Sequence, residues 1–320
     1  MRRFKSLLLI PSTSLHAGDH GDPPATRRLD YGLVIWQLLW RMRLDLLVWA
    51  LICGFASLRD RQPPIQTVTP LGLSVLGIAV SVFIAFRNTQ AISRWWEARS
   101  LWGALVNHSR QWRDTLLAYL TTQQIGSARG RCLLEFQVAQ AWLLNFELRN
   151  YWRQDVRGAI EALLSDLHLP VAISLQDLCR HRAMAIQSLH RDGWVDDWGR
   201  NRLVIIADQC LDAIGGLEKI RNTPLPASYD VFVRLISWLY GLQLLLEFRG
   251  RSSIVVGAVL FLGFLVAERI GAYVEGPFDR DGSSFSLPLN AFCSLISKDL
   301  MQRDLDFRDF RPSHDPARWD

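Results

Sequence analysis

Four stretches of the chain are apolar enough to leave water. The first runs from about Tyr31 to Leu58 and is most apolar over LLVWALICGFASL, Leu46 to Leu58. Its first half carries Arg41, Arg43 and Asp45. That half is expected to face protein or a membrane interface, where Trp36, Trp40 and Trp49 also sit comfortably. Arg41 and Asp45 have the i,i+4 spacing of a local ion pair. A polar turn with Pro63, Pro64 and Pro70 stops one helix and starts the next. The second stretch, Leu71 to Phe86, has 16 residues and no charge. It makes ~24 Å of helix, somewhat short of a ~30 Å hydrocarbon core without help from its flanks. The third, Val231 to Phe248, is interrupted by Arg234 and Glu247, and the fourth, Ile254 to Ala267, is closed by Glu268 and Arg269.

The long middle reads as amphipathic helices. Ser100 to Thr121 places Leu101, Leu105, Trp112, Leu116 and Leu120 on one face. Arg131 to Trp152 does the same with Phe136, Ala139, Leu143 and Phe146, and Asn201 to Ile220 follows after Gly193 and Gly199. No strand-rich stretch and no internal repeat appears. The expected fold is all-α: an integral membrane protein with four transmembrane helices in two hairpins and a large cytosolic helical region. The parts are an N-terminal arm (1–30), a first hairpin (31–86), the cytosolic helices (87–230), a second hairpin (231–273) and a C-terminal segment (274–320). Arg2, Arg3 and Lys5 in the arm, and Arg87, Arg94 and Arg99 after the second stretch, orient both termini and the middle toward the cytosol. Arg59, Arg61, Arg249 and Arg251 in the short loops soften that bias. The expected location is the cell membrane, the inner one in a bacterium. Leu7 to Ile10 is too short an apolar run for a signal peptide.

Composition narrows the function. Hydrophobic residues make up 49% of the 320, with 13 Trp, which excludes disorder. Mean hydropathy is +0.08 despite 36 Lys+Arg and 31 Asp+Glu, as expected when charges and apolar residues occupy separate blocks. The net charge of +5 is spread among acids, so no dense basic face points to nucleic acid. Five cysteines, an odd number without a CxxC, read as reduced thiols. No phosphate loop, GxSxG elbow, HExxH or HxE…CxxC motif occurs, so neither an enzyme nor a cofactor is expected. His16 and His20 have helical metal spacing around Asp19 but lie in a polar arm, where a solvated segment is the simpler reading. His108, His168, His181 and His190 are isolated. Glu247 and Glu268 fall at helix ends, where water is expected to reach them.

Within the second stretch, Ile78, Val82 and Phe86 recur at i, i+4 and i+8 and form one stripe. Ser74, Gly77, Ser81 and Ala85 form a second stripe of small residues, which lets membrane helices approach closely. In a monomer the large stripe would face lipid. Ringed about an axis, it would line a hydrophobic constriction of the kind that gates ions by dewetting.

The segment FRNTQAISRWWEARSLWGALVNHSR, Phe86 to Arg110, resembles the hallmark of bacterial bestrophin-family channels, close to FRNTxxYDRWWEARxxWG. Arg87, Asn88, Thr89, Arg94, Trp95, Trp96, Glu97, Arg99, Trp102 and Gly103 match, whereas Ile92 and Ser93 replace the usual Tyr-Asp. GGLEKIRNTPLPASY, Gly215 to Tyr229, and AERIGAYVEGPF…LPLNAFC, Ala267 to Cys293, resemble two further family segments. The resemblance implies a homopentamer with a central pore and a membrane neck formed by Ile78, Val82 and Phe86. It implies a second, cytosolic constriction, which an ungapped count back from Gly215 puts at Trp198. Arg87, Asn88, Arg94, Trp95, Trp96, Glu97 and Glu268 become structural motif residues. Animal members bind calcium in an acidic run; here only Asp279 and Asp281 remain, interrupted by Arg280, Gly282, Ser283 and Ser284, so no metal is expected. The implied activity is passive conduction of small monovalent ions, chloride favoured, with membrane lipid as surroundings. A sodium channel of the same fold and a non-conducting membrane-anchored interaction protein are the alternatives.

Overall fold

The computed structural model describes residues 31–58, 69–150, 154–248, 253–278 and 285–301. The expected arm at 1–30, the turn with Pro63 and Pro64, the loop with Arg249 and Arg251, and the acidic positions Asp279 and Asp281 lie outside the described residues. The described residues form helices without a strand.

The first apolar stretch is two helices, α1 (Tyr31–Arg41) and α2 (Arg43–Leu58). The two are joined at Met42, where the ladder continues: Met42 N–H donates to Leu38 O at 3.0 Å, and Leu46 N–H to Met42 O at 2.8 Å. Met42 is fully buried and shares a cluster with Phe261 and Leu265. The Trp49 indole donates to Ala258 O at 3.2 Å.

The third helix, α3 (Pro70–Tyr119), is a single rod of 50 residues. Thr69 caps it by accepting from Gly72 N–H at 3.2 Å, and Pro70 takes the N-terminal position where its missing N–H costs nothing. The helix runs without interruption through the expected hairpin boundary at Phe86 and Arg87, since no later residue of the segment breaks the ladder. It ends where Leu120 turns extended and Thr121 opens α4 (Thr122–Gly126) with a capping box to Gln124.

The helical body packs around α5 (Ala128–Arg149). This helix is buried nearly all round, against α3, α6 (Gln154–Asp166), α7 (Leu175–Arg191) and α8 (Asp197–Asn222). The expected inward positions Leu105, Trp112, Leu116, Leu120, Phe136, Ala139, Leu143 and Phe146 are all in this core, and Leu101 packs against it. The core also holds a cation, Arg182. Its guanidinium donates to Gln140 Oε1 and, at 2.6 Å, to Gln137 Oε1, and lies 5.6 Å from the Trp112 ring centre. All five cysteines are free, and burial pushes the Cys132, Cys179, Cys210 and Cys293 thiols up, which keeps them protonated.

The remaining helices are α9 (Ala227–Glu247), α10 (Ser253–Val274) and α11 (Leu289–Met301). Gly241 faces Phe261 and Gly257 faces Leu244, so α9 and α10 run antiparallel. α8 runs antiparallel to the second half of α3 in the same way, with Lys219 beside Glu97, Gly216 against Leu101 and Gly199 against Tyr119. Among the described residues, three helices are long and apolar enough to cross a membrane: α3, α9 and α10 over Ile254–Val274.

Glycine makes the α9–α10 contact possible. A Cβ at Gly241 would sit 1.8 Å from the ring of Phe261, itself fully buried. We expect Gly241→Ala to destabilise the protein by about 1–3 kcal/mol through overpacking. Gly263→Ala, whose Cβ would meet nothing within 4 Å, serves as the control. Melting curves in detergent check this: a clear drop for Gly241→Ala with none for Gly263→Ala is expected, and equal curves would refute the close-contact reading.

Candidate pore face and its charged anchor

Along its first four turns α3 has two unlike sides. Leu73, Val80 and Ile84 pack on Val233, Tyr240 and Leu244 of α9. Ile78, Val82 and Phe86 point the other way and stay 66%, 45% and 62% exposed. The spacing had placed these three on one face, and among the described residues they stay open. The small-residue stripe lies between the two sides. Ser74, Gly77, Ser81 and Ala85, together with Tyr240 and Phe264, border an open groove of about 550 Å³ that Ile78 and Val82 flank. Gly77 is needed at its floor, where a Cβ would fall 2.3 Å from the Tyr240 hydroxyl oxygen.

Below the stripe the face changes chemistry but stays open. Thr89, Gln90 and Ser93 continue it, all exposed. The arginines of the same segment turn inward. Arg87 is 1% exposed. Its Nη1 donates to Glu268 O at 2.8 Å and lies 3.4 Å from Glu268 Oε1. Its Nη2 meets Asp230 Oδ1 and lies 3.7 Å from Glu275 Oε2. Arg94 donates to Ile220 O at 2.7 Å and Thr223 O at 2.6 Å, which satisfies the last carbonyls of α8. Asn88 Nδ2 donates to Ala267 O at 3.0 Å, and its Oδ1 occupies space left by Gly271.

The charged cluster extends further. Arg269 Nε lies 2.7 Å from Asp45 Oδ2 and 3.6 Å from Glu268 Oε2, and Arg234 Nη2 is 3.2 Å from Asp45 Oδ1. Two expectations are corrected here. Asp45 joins α2 to α9 and α10 instead of forming the local pair expected with Arg41, whose guanidinium lies 5.1 Å from the Tyr273 ring centre and 5.4 Å from that of Phe285. Glu268 is not at a watery helix end: it is 1% exposed, because α10 continues to Val274. The sequence reading missed Asp45, Asp230, Arg234, Arg269 and Glu275 as partners. Their signal was present, since Arg234, Glu268 and Arg269 interrupt or close apolar stretches, and charges in such places usually find one another.

The other motif residues separate. Trp95 packs on the core of the body, while Trp96 is exposed and meets the Trp95 ring edge-on at 5.1 Å between centres. Glu97 Oε1 accepts from Lys219 Nζ at 3.0 Å. Trp198 is 77% exposed in the first turn of α8. Its neighbour Gly199 rests on Tyr119, so Trp198 lies near the far end of α3, ~50 Å along the rod from Phe86. Trp198 is thus not brought together with the stripe. Among the described residues no three His, Cys, Asp or Glu side chains gather as a metal site.

A family model described as bacterial and fungal bestrophin protein matches residues 28–302. A voltage-dependent anion channel-forming protein of Ralstonia nicotianae is 30% identical over 247 residues, covering 72% of this chain and 76% of its own. The voltage-dependent anion channel-forming protein YneE of Escherichia coli K12 is 28% identical over 239 residues, covering 72% and 75%. Among solved structures, a bestrophin homolog from Klebsiella pneumoniae superimposes with a TM-score of 0.67 at 24% identity, over 85% of this chain and all of that one. A match over residues 28–302, joined to an all-helical fold shared with that homolog, makes this chain a member of the bacterial and fungal bestrophin family.

Proposed function

We propose that the protein is a pentameric anion channel, with chloride as the principal ion, in which five copies of the exposed α3 stripe form the neck. The observation that carries this reading is the uncovered row Ile78, Val82, Phe86, which continues as Thr89, Gln90 and Ser93. An apolar constriction that opens into a passage lined by hydroxyls and an amide suits an ion that sheds and then regains water. The names of the Ralstonia and Escherichia relatives support the choice of an anion.

In this reading α2, the first part of α3, α9 and α10 are the four spans of each subunit, and α1 enters at the membrane interface. The helical body and both termini are cytosolic, in the inner membrane of a bacterium. The groove beside Ser74, Ser81 and Ala85 accepts the neighbouring subunit, because small side chains allow close approach. The exposed Leu47, Leu51 and Phe55 of α2 face lipid. Trp198 forms the second, distal constriction. The clamp on Arg87 fixes the rotation of α3 about its axis and so keeps the stripe turned to the pore. No catalytic group and no cofactor takes part.

Purified full-length protein in planar bilayers under a chloride gradient provides the test. Currents reversing near the chloride equilibrium potential are expected. Reversal near the sodium potential would overturn the ion sign, and silence at normal pentamer yield would overturn the pore.

A further inference from the structure

On the exposed face of α3, the first charged side chain after the apolar stripe is Glu97. Eleven residues separate it from Phe86, which is three turns or ~16 Å along the axis, and an eleven-residue step returns a helix to nearly the same face. Arg87, Arg94 and Arg99 lie in the same segment but are turned away. Arg87 and Arg94 are held by groups of their own chain as described, and Arg99 lies over the Phe292 ring at 4.7 Å. Among the described residues, the cation paired with Glu97 comes from α8, as Lys219 Nζ at 3.0 Å. Both members are solvated, Lys219 being 66% and Glu97 47% exposed. Such a pair adds little to stability. Its consequence is electrostatic: a carboxylate just below the neck is neutralised by an amine from another helix.

We propose that the Glu97–Lys219 pair sets the charge preference of the conduction path directly below the neck. The inference rests on the channel reading above. Repeated around a five-fold axis, the pairs form a ring of balanced charge. Losing Lys219 leaves five carboxylates, which concentrate cations at the neck and repel anions; losing Glu97 leaves five amines and does the reverse. Asp212 and Asp208 of α8 are exposed too, but they lie two and three turns farther from the neck than Lys219. At ~10 Å or more, a Debye length of ~8 Å screens them from that level at physiological salt.

The experiment records wild type, Lys219→Met, Glu97→Gln and the double variant in planar bilayers under an asymmetric salt gradient. Lys219→Met is expected to raise the cation-to-anion permeability ratio about threefold and Glu97→Gln to lower it by a similar factor, both shifts growing as salt is lowered. The double variant is expected to return close to wild type, and Lys219→Arg to match it throughout. Unchanged ratios in both single variants, with wild type conducting, would overturn this inference and leave the channel standing. Shifts that persist undiminished in the double variant would also overturn it. A silent wild type would remove the channel reading itself. Each variant is checked for pentamer yield, and either single variant suffices should the other assemble poorly.

Discussion

Replacing Ile78, Val82 and Phe86 together by alanine is expected to raise single-channel conductance on the order of tenfold, the effect of lowering a permeation barrier by about 1.4 kcal/mol. The three side chains span eight residue steps, ~12 Å of helix. In a five-fold ring they would make three apolar constrictions with no polar group to replace an ion's water. Alanine widens each ring and shortens the dry stretch. All three side chains are exposed in the single chain, Val82 by about half, so their truncation leaves little cavity and costs little folding energy. Single variants are expected to give smaller gains, led by Phe86→Ala because it removes the largest side chain. Unchanged conductance in the triple variant, at normal pentamer yield, would place the pore on another face.

Arg87→Met is expected to produce the largest loss of stability of any substitution considered. The guanidinium is 1% exposed and lies among Asp230, Glu268 and Glu275. Glu268 is equally buried, whereas Asp230 remains 41% exposed and can recover water. Removing the cation therefore leaves chiefly the buried Glu268 under-compensated, with Arg269 Nε still 3.6 Å from its Oε2. Breaking a buried pair from one side costs about 3–5 kcal/mol, which for a chain of this size lowers the melting temperature by roughly 10 °C. Glu268→Gln added to Arg87→Met should restore part of that loss, because the stranded charge is gone. Melting in detergent measures both. A drop of only a degree or two for Arg87→Met would mean that water already reaches the cluster.

The helical class and the exposed stripe were legible because both rest on period alone. Ile78, Val82 and Phe86 follow from a four-residue repeat, and the inward positions of α3 and α5 from the same rule. The joining of elements was not legible. The second apolar stretch and the first amphipathic stretch look like separate helices because hydropathy changes at Arg87, yet the backbone ladder is indifferent to polarity and α3 passes through. Likewise the i,i+4 spacing of Arg41 and Asp45 favoured a local pair, while the three-dimensional packing offered Asp45 two arginines from other helices. Glu268 was misjudged for a related reason: the apolar stretch ends at Ala267, but the helix does not. Trp198 was reached by counting along a resemblance, and its level, far from the stripe, depends on the antiparallel register of α3 and α8, which no local pattern encodes.

The unbroken course of α3 has a mechanical consequence. Its 50 residues make a strut of ~75 Å with no proline after the first position and no break in the helix. Such a strut has no hinge at which the membrane part could bend while the body stays still. A movement at its distal end, where Tyr119 meets the start of α8, must therefore reach the Ile78, Val82, Phe86 stripe as a tilt or a rotation of the whole rod. A ten-degree roll about the rod's own axis would turn Ile78, Val82 and Phe86 together by that angle, so in the proposed pentamer their three rings would widen or close as one unit instead of one by one.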